Sequence, residues 1–208
     1  MPDLSLEDAA RVDGFRTVCG VDEAGRGPWA GPVVAGAVVL APDDLPPAVT
    51  GGLDDSKKLK PIVRAELFEA LSKFARIGVG IATVGEIDAT NILAATLLAM
   101  RRAVDGLGAP PPELALVDGN RPPDLDCRVR TVVRGDGLSL SIAAASIVAK
   151  VTRDRMMADL DRQFPGYGWA TNAGYGTAAH REALTRLGVT PAHRRSFAPI
   201  RKMLSPGR

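Results

Sequence analysis

The sequence is poor in the residues that most often announce a function. Aromatic side chains make up 4% of its 208 positions, against 46% hydrophobic residues overall. Its core must therefore close around small aliphatic groups, as a helix lying tightly on a sheet requires. There are two cysteines, Cys19 and Cys127, and their separation fits neither a zinc-ligand spacing nor a disulfide framework. The histidines, His180 and His193, stand apart from any ligand pattern, and a lone histidine is more often structural than catalytic. No apolar run approaches the ~20 residues of a membrane span. The opening MPDLSLEDAARVDG is acidic and polar, unlike a secretory leader. The expectation is a soluble, cytoplasmic protein in a reducing compartment, without a membrane partner.

A charge of one sign is missing too. The 26 basic and 24 acidic residues leave a formal charge of +2, which by itself predicts no polyanionic partner. Only after His193 does the balance tilt, with Arg194, Arg195, Arg201, Lys202 and Arg208 and no acid among them. Such a terminus either contacts phosphate or is simply solvated. With no repeat and no linker to divide the chain, we expect a single domain over residues 1–208, helical from about residue 160 onward.

What is present is a regular alternation of elements. Thr17–Asp22 reads as a strand, and Pro32–Leu40 as a second across a glycine-rich turn, the two forming a hairpin. Pro42–Gly52 reads as a loop, and Pro61–Phe74 as a helix with proline in its first turn. Further strands are expected at Ile77–Val84, Leu114–Val117 and Arg128–Val133. Helices are expected at Asn91–Leu107, Leu138 to about Leu160, and Thr177–Leu187. The pattern implies an α/β layered fold, a mixed central sheet flanked by helices with a helical C-terminal part.

The most informative stretch is GVDEAGRGPWAGP. Gly25, Gly27 and Gly31 miss the dinucleotide fingerprint by one residue, and Pro28 and Pro32 oppose the helix it must open. No P-loop is present. What remains is Asp22 and Glu23 at a strand end, followed by Gly25-Arg26-Gly27. Two adjacent carboxylates in an apolar strand are costly to bury without a partner. A divalent cation of the Mg²⁺ or Mn²⁺ kind would supply one; a capped turn with Glu23 exposed is the alternative. Neighbouring strand residues point to opposite faces, so both reach one site only if the strand ends or twists at Glu23. Asp118 follows the apolar run ELALV, either as a catalytic carboxylate or as half of an Asp-Gly turn. Asp136, between two glycines before the long helix, is either part of the same set or a helix-start residue favoured by the dipole. Together Asp22, Glu23, Asp118 and Asp136 are a set that suits a two-metal site.

VDEAGRGPWAGPVV, DDSKKL, VDGN, RGD followed by SIAAASIVAKVTRD, then YGWATNAGYGTAAH and HRRSF occur in this order between Val18 and Phe197. In that order they resemble the successive signatures of the type 2 ribonuclease H (ribonuclease HII) family. The resemblance implies a ribonuclease H-like fold and a metal-dependent endonuclease. Its substrates would be RNA–DNA hybrids and ribonucleotide-containing duplex DNA, cut to leave 3′-hydroxyl and 5′-phosphate ends. It further implies two Mg²⁺ or Mn²⁺ ions on Asp22, Glu23, Asp118 and Asp136, and a monomeric enzyme. Gly25, Arg26 and Gly27 match the loop that reads the ribose 2′-hydroxyl, and glycines there let backbone approach a sugar closely. Tyr175 matches the tyrosine that packs on the following deoxyribose. Lys57, Lys58, Lys150 and Arg153 are candidate phosphate contacts, although Lys150 and Asp154 also form an i,i+4 pair. Ser146 is a candidate for the same groove. Two departures stand out, Trp29 where a smaller aliphatic residue is expected and Ala173 where lysine is common.

Overall fold

The computed structural model describes residues 1–41 and 45–205. Its strands are β1 (Val18–Ala24), β2 (Val33–Leu40), β3 (Ala75–Ala82), β4 (Leu114–Asp118) and β5 (Arg128–Val132). They form one sheet in the order β3-β2-β1-β4-β5. The β1–β2 and β2–β3 pairs are antiparallel, while β1–β4 and β4–β5 are parallel. The helices are α1 (Ser5–Val12), α2 (Pro47–Thr50), α3 (Pro61–Phe74), α4 (Val84–Ala89), α5 (Ile92–Asp105), α6 (Leu140–Gln163), α7 (Trp169–Asn172), α8 (Ala178–Leu187) and α9 (Ala198–Leu204). The expected mixed sheet, flanking helices and helical C-terminal part are all found.

The scarcity of rings has its counterpart in how closely the layers approach. Helix α5 covers one face of the sheet, over Cys19, Val21, Ala35, Ala37 and Val117. Helix α6 covers the other. Where the layers meet, the strands carry glycine. A Cβ on Gly20 would lie 2.1 Å from the Ser141 carbonyl carbon and one on Gly36 2.5 Å from the Ala145 oxygen. On the opposite face, a Cβ on Gly78 or Gly80 would lie 1.9 Å from a carbonyl oxygen of α5. Ala143, Ala144 and Ala145 on α6 complete this contact from the helix side, all fully buried. Larger residues would force the layers apart and forfeit the dense packing that stabilises interiors.

Local chemistry sets the helix starts. Asn91 caps α5 by accepting from the Leu93 and Ala94 amides, each at 2.9 Å. Ser139 caps α6 through the Ile142 amide at 3.2 Å. Buried Glu7 of α1 reinforces that cap, accepting from the Ser141 amide at 2.9 Å and from the hydroxyls of Ser139 and Ser141. The C-terminal helices pack around Tyr167, Trp169, Leu184 and Ile200 against Met157 of α6.

Some boundaries differ from the sequence reading. Strand β1 runs two residues past Asp22, and β3 starts at Ala75 and ends at Ala82 because Thr83 leaves it to cap α4. Of the loop expected at Pro42–Gly52, residues 42–44 lie outside the described residues, and Pro47–Thr50 is the short helix α2. Helices α1, α4, α7 and α9, of 8, 6, 4 and 7 residues, were not expected. They are too short for a 3.6-residue period to be read. Among the described residues no helix is long and apolar enough to cross a membrane.

Candidate active site

The site arises where two neighbouring strands part. The β1–β4 pairing ends at Val21–Val117. Beyond it β1 continues on β2 alone, with Asp22 opposite Gly36 and Glu23 opposite Ala35. Asp22 shares the α6 face with Gly20, and Glu23 the α5 face with Val21. Of the two routes the sequence left open, an end or a twist at Glu23, the strand does not end there but runs to Ala24; it is the neighbour β4 that leaves. With that side open, both carboxylates line one cleft of about 460 Å³. Asp118, the last residue of β4, stands at the same edge. Its Oδ1 accepts from the Gly135 amide at 2.6 Å, which ties the Gly135–Gly137 turn, and with it Asp136, to the end of β4.

The electrostatics of these groups are one-sided. Asp22 is 6% exposed, and its carboxylate accepts from the Glu23 amide at 2.7 Å. Burial, then the charges of Glu23, Asp118 and Asp136, push its pKa well above the ordinary aspartate value. Glu23 is raised as well, first by burial, with Asp118 adding to it, while the Arg26 guanidinium at 3.2 Å opposes the shift. Asp136 is raised by burial, then by Asp55 and Asp118. Burial alone would lower the Lys57 pKa, but Asp55, Asp22, Asp136 and Asp118 outweigh it and the ammonium is strengthened. Burial first, and neighbouring carboxylate charge second, penalise the ionised forms of Asp22, Glu23 and Asp136. Among the described residues no three Asp, Glu, His or Cys side chains close around a point as they stand. Asp22 and Glu23 line the cleft, and the charges of Asp118 and Asp136 act on Asp22.

The cleft also brings in the Gly25-Arg26-Gly27 turn and Tyr175. Gly25 has φ +97°, and its Cβ position is taken by the Arg153 side chain, with Nε at 1.9 Å. A side chain there would be both strained and obstructed. A Cβ on Gly27 would touch the Tyr175 ring at 3.3 Å, so the turn and the tyrosine are immediate neighbours. Tyr175 itself is 50% exposed, with its ring available to solvent.

The candidate phosphate contacts separate into two groups. Lys57 and Lys150 line the cleft, Lys150 bonded to Asp154 at 2.7 Å. Lys58 is exposed and bonded to Asp54 at 2.9 Å, away from the cleft lining. Two further candidates have their polar atoms committed within the protein. Arg153 is 2% exposed and donates to the carbonyls of Pro32, Ala173 and Ala30 at 3.0, 3.0 and 3.2 Å. It lines the cleft as a brace in its wall, with its N–H groups turned to the backbone. Ser146 is buried, accepts from the Ser56 amide at 3.3 Å and donates to the Ala143 carbonyl. It fastens the DDSKKL segment to α6 and is closed to a substrate.

Sequence reading missed three contributors. Arg64 lines the cleft and donates to the Ser56 and Leu59 carbonyls at 2.9 and 2.6 Å. Asp55 acts on Asp136 by charge. Arg194 was read as part of a basic tail, yet it is fully buried behind the glycine turn, whereas its neighbour Arg195 is exposed; nothing local distinguishes the two. Arg208 lies outside the described residues. His180 and His193 form a buried chain with Trp169, Nε2 to Nε2 at 3.1 Å, and His180 Nδ1 donates to the Tyr175 carbonyl at 2.9 Å. A hollow of about 570 Å³ beside Val39 and Phe74 has no carboxylate in its lining, and we assign it no chemistry.

A sequence model described as ribonuclease HII matches residues 19–200. Ribonuclease HII of Paramagnetospirillum magneticum is 62% identical over 200 residues, covering 96% of this chain and 97% of that one. The chain belongs to the ribonuclease HII family. It is therefore a hydrolase, an endoribonuclease of the type 2 ribonuclease H class. Ribonuclease HII of Rhodospirillum rubrum is similarly close, 61% identical over 207 residues with 99% and 93% of the two chains covered. Among solved structures, ribonuclease H2 of Pyrococcus horikoshii aligns with a TM-score of 0.75 at 28% identity, over 90% of this chain and 96% of that one. Ribonuclease HII of Archaeoglobus fulgidus, described in complex with PCNA, aligns at 0.72 and 28%, over 87% and 95%. Bst-RNase HIII, described in complex with Mn²⁺, aligns at 0.74 and 21%, over 90% and 69%, and shares the fold.

Proposed function

We propose that this chain, acting as one catalytic domain, cuts the RNA strand of RNA–DNA hybrids and incises duplex DNA on the 5′ side of an embedded ribonucleotide. The products carry 3′-hydroxyl and 5′-phosphate ends, and the single-ribonucleotide cut opens excision repair. The observation that carries this reading is the meeting, in one cleft, of mutually coupled carboxylates with the Gly25-Arg26-Gly27 turn and the Tyr175 ring.

The donor set fits divalent ions of the Mg²⁺ or Mn²⁺ class. It consists of carboxylate oxygens alone, and burial together with mutual repulsion penalises their charges. Asp22, Glu23, Asp118 and Asp136 would hold the ions, with water completing the coordination. Bound there, they would supply an activated water as nucleophile and stabilise the leaving oxygen.

The chain's own groups provide selection and alignment. Gly25 lets the turn close against Arg153 and Gly27 lets it sit against the Tyr175 ring, which brings backbone polar groups of the turn to the cleft, where a ribose 2′-hydroxyl would meet them. Tyr175 offers a half-exposed ring against which a deoxyribose packs, and a 2′-hydroxyl at that position would be crowded. Lys57, kept cationic by the surrounding acids, stands where a phosphate would bring negative charge. The arrangement favours a strand that is ribose on one side of the cut and deoxyribose on the next.

The test is incision of a labelled DNA duplex bearing one ribonucleotide, beside an all-DNA duplex, an EDTA reaction and the Asp136→Asn variant. We expect metal-dependent cutting 5′ to the ribonucleotide, absent from plain DNA and lost in the variant. Equal cutting of plain DNA would make the protein a general nuclease. Absence of cutting by folded protein with either Mg²⁺ or Mn²⁺ would reduce it to a binding protein.

A further inference from the structure

At the wall of the cleft lie two arginines whose side-chain bonds, among the described residues, all go to backbone carbonyls. Arg194, fully buried, donates from Nε to the Gly31 carbonyl at 2.9 Å, from Nη1 to the Arg26 carbonyl at 2.8 Å, and from Nη2 to the carbonyls of Gly25 at 2.5 Å and Pro32 at 3.2 Å. Its own amide donates to the Trp29 carbonyl at 2.8 Å. Arg153 shares the Pro32 carbonyl and reaches those of Ala30 and Ala173. Ala173 adjoins the Gly174-Tyr175-Gly176 turn, and the Trp29 amide donates to the Gly174 carbonyl at 2.8 Å. The Arg194 guanidinium thus braces the first of the two loops that border the cleft, and the Arg153 guanidinium ties that loop to the second at Ala173. Burial pulls Arg153 down to about 10 and Arg194 to about 9, and both stay cationic at neutral pH.

We propose that Arg194 and Arg153 are a pair of positioning residues, Arg194 stiffening the Gly25-Arg26-Gly27 turn and Arg153 tying its loop to Ala173 beside the Tyr175 turn, and that together they fix where a mixed ribose–deoxyribose strand is cut. The inference rests on the proposed reading of those two loops. Its physical basis is the planar fork of the guanidinium, which delivers several N–H groups in fixed directions. A lysine keeps the charge but directs its donors from one point, and it cannot span carbonyls contributed by Gly25, Arg26, Gly31 and Pro32.

The experiment compares wild type, Arg194→Lys and Arg153→Lys with Leu107→Ala. Leu107 is buried at the opposite end of the sheet, where its carbonyl accepts from Arg76, so that variant loses stability without touching either loop. Two readouts are taken. The first is the distribution of cut positions across an RNA-to-DNA junction, with the ratio of junction to uniform-hybrid rates; neither depends on the amount of folded enzyme. The second is amide hydrogen exchange over residues 25–31 and 173–176. For Arg194→Lys we expect cuts spread over neighbouring positions, a junction-to-hybrid ratio lowered about 10-fold, and faster exchange in both segments. Leu107→Ala should keep the wild-type pattern and ratio. If Arg194→Lys does not fold, Arg153→Lys carries the same comparison. An unchanged cut pattern in folded variants, or the same spreading in Leu107→Ala, would overturn the proposal. Wild-type protein that ignores the junction would sink the functional reading instead, and the exchange data would still report on the clamp.

Discussion

Replacing Gly20 with alanine tests whether the glycine contacts that join sheet to helix also hold the active site. The new methyl would stand 2.1 Å from the Ser141 carbonyl carbon and 2.3 Å from the Ile142 nitrogen. Ordinary contact begins near 3.4 Å, so the start of α6 must retreat by about 1 Å. The obstacle is backbone, with no side-chain rotamer able to yield. Overpacking of this kind costs about 1–3 kcal/mol, and the stiffer unfolded chain returns about 0.4–1 kcal/mol. The net loss should be about 1–2 kcal/mol, read as a lowered urea midpoint. Activity should fall further than stability. The Ser139 amide donates to the Gly135 carbonyl at 2.8 Å, so the turn bearing Asp136 moves with the helix start. A displacement of about 1 Å at reacting groups can cost about 100-fold in rate. Two controls separate the effects. Gly80→Ala pushes on α5, which carries none of the four carboxylates, and should lower stability with little loss of single-turnover rate. Gly85→Ala meets only the Thr83 hydroxyl at 3.9 Å and should leave both unchanged or slightly improve stability. A Gly20→Ala protein within about 0.5 kcal/mol of wild type, a margin typical of uncrowded sites, would refute the argument.

Saturating Mg²⁺ should raise the melting temperature of wild type by relieving the crowded carboxylates, worth about 2.7 kcal/mol at a hundredfold excess over Kd. The gain should shrink in Asp22→Asn, and an equal gain in both proteins would place the ion elsewhere. Glu7→Ala removes the acceptor for two buried serine hydroxyls and the Ser141 amide, so stability should drop by about 1–3 kcal/mol in urea titration; a neutral result would show that solvent replaces the carboxylate. Gly176→Ala would put a methyl 2.2 Å from the Trp29 ring, and junction cutting should fall about 10-fold and recover when Trp29→Val is added, so failure of the double variant to recover would disprove direct crowding. His193 is held down to about 4, first by burial and then by the charge of His180. A depressed histidine stabilises the fold fully above its unfolded value near 6.5 and loses that contribution as pH falls toward 4. Wild type should therefore lose about 1–2 kcal/mol more than His193→Gln between pH 7 and pH 5, solvent screening included; equal losses would remove His193 as the cause.

How much of this was legible beforehand divides along physical lines. The strands and the long helices α3, α5 and α6 carried periodicity and caps that act locally, so their places could be read to within a few residues. The short helices could not. Thr83 and Glu86 did spell a capping box, with the Glu86 amide bonded to the Thr83 hydroxyl at 3.2 Å, and that signal was available but unread. Asp22, Glu23, Asp118 and Asp136 were recognisable because they end strands or precede a helix. Their meeting depends on the register of β1 against β4, which pairs positions about a hundred residues apart. The internal bonds of Ser146 and Arg153 were not legible for a related reason. A polar residue on a helix reads the same whether it faces a groove or the backbone of a distant loop.

That last distinction bears on how the cleft keeps its charge. Asp22, Glu23 and Arg153 line the same cleft, with Arg194 bonded to the Gly25 and Arg26 carbonyls next to it, and a pairing of carboxylate with guanidinium would neutralise both. Instead the two guanidiniums spend their N–H groups on carbonyls of residues 25–32 and Ala173, and Gly25 gives the room that lets Arg153 lie against the turn. Backbone carbonyls satisfy the donors without cancelling their charge. Asp22 is left without a guanidinium partner among the described residues, while the two arginines remain positive beside the turn. Opposite charges held apart by a layer of saturated backbone suit a substrate that is itself a polyanion attended by cations. Were either arginine to turn toward Asp22, the cleft would lose an oxygen donor and the brace behind the glycine turn in the same movement.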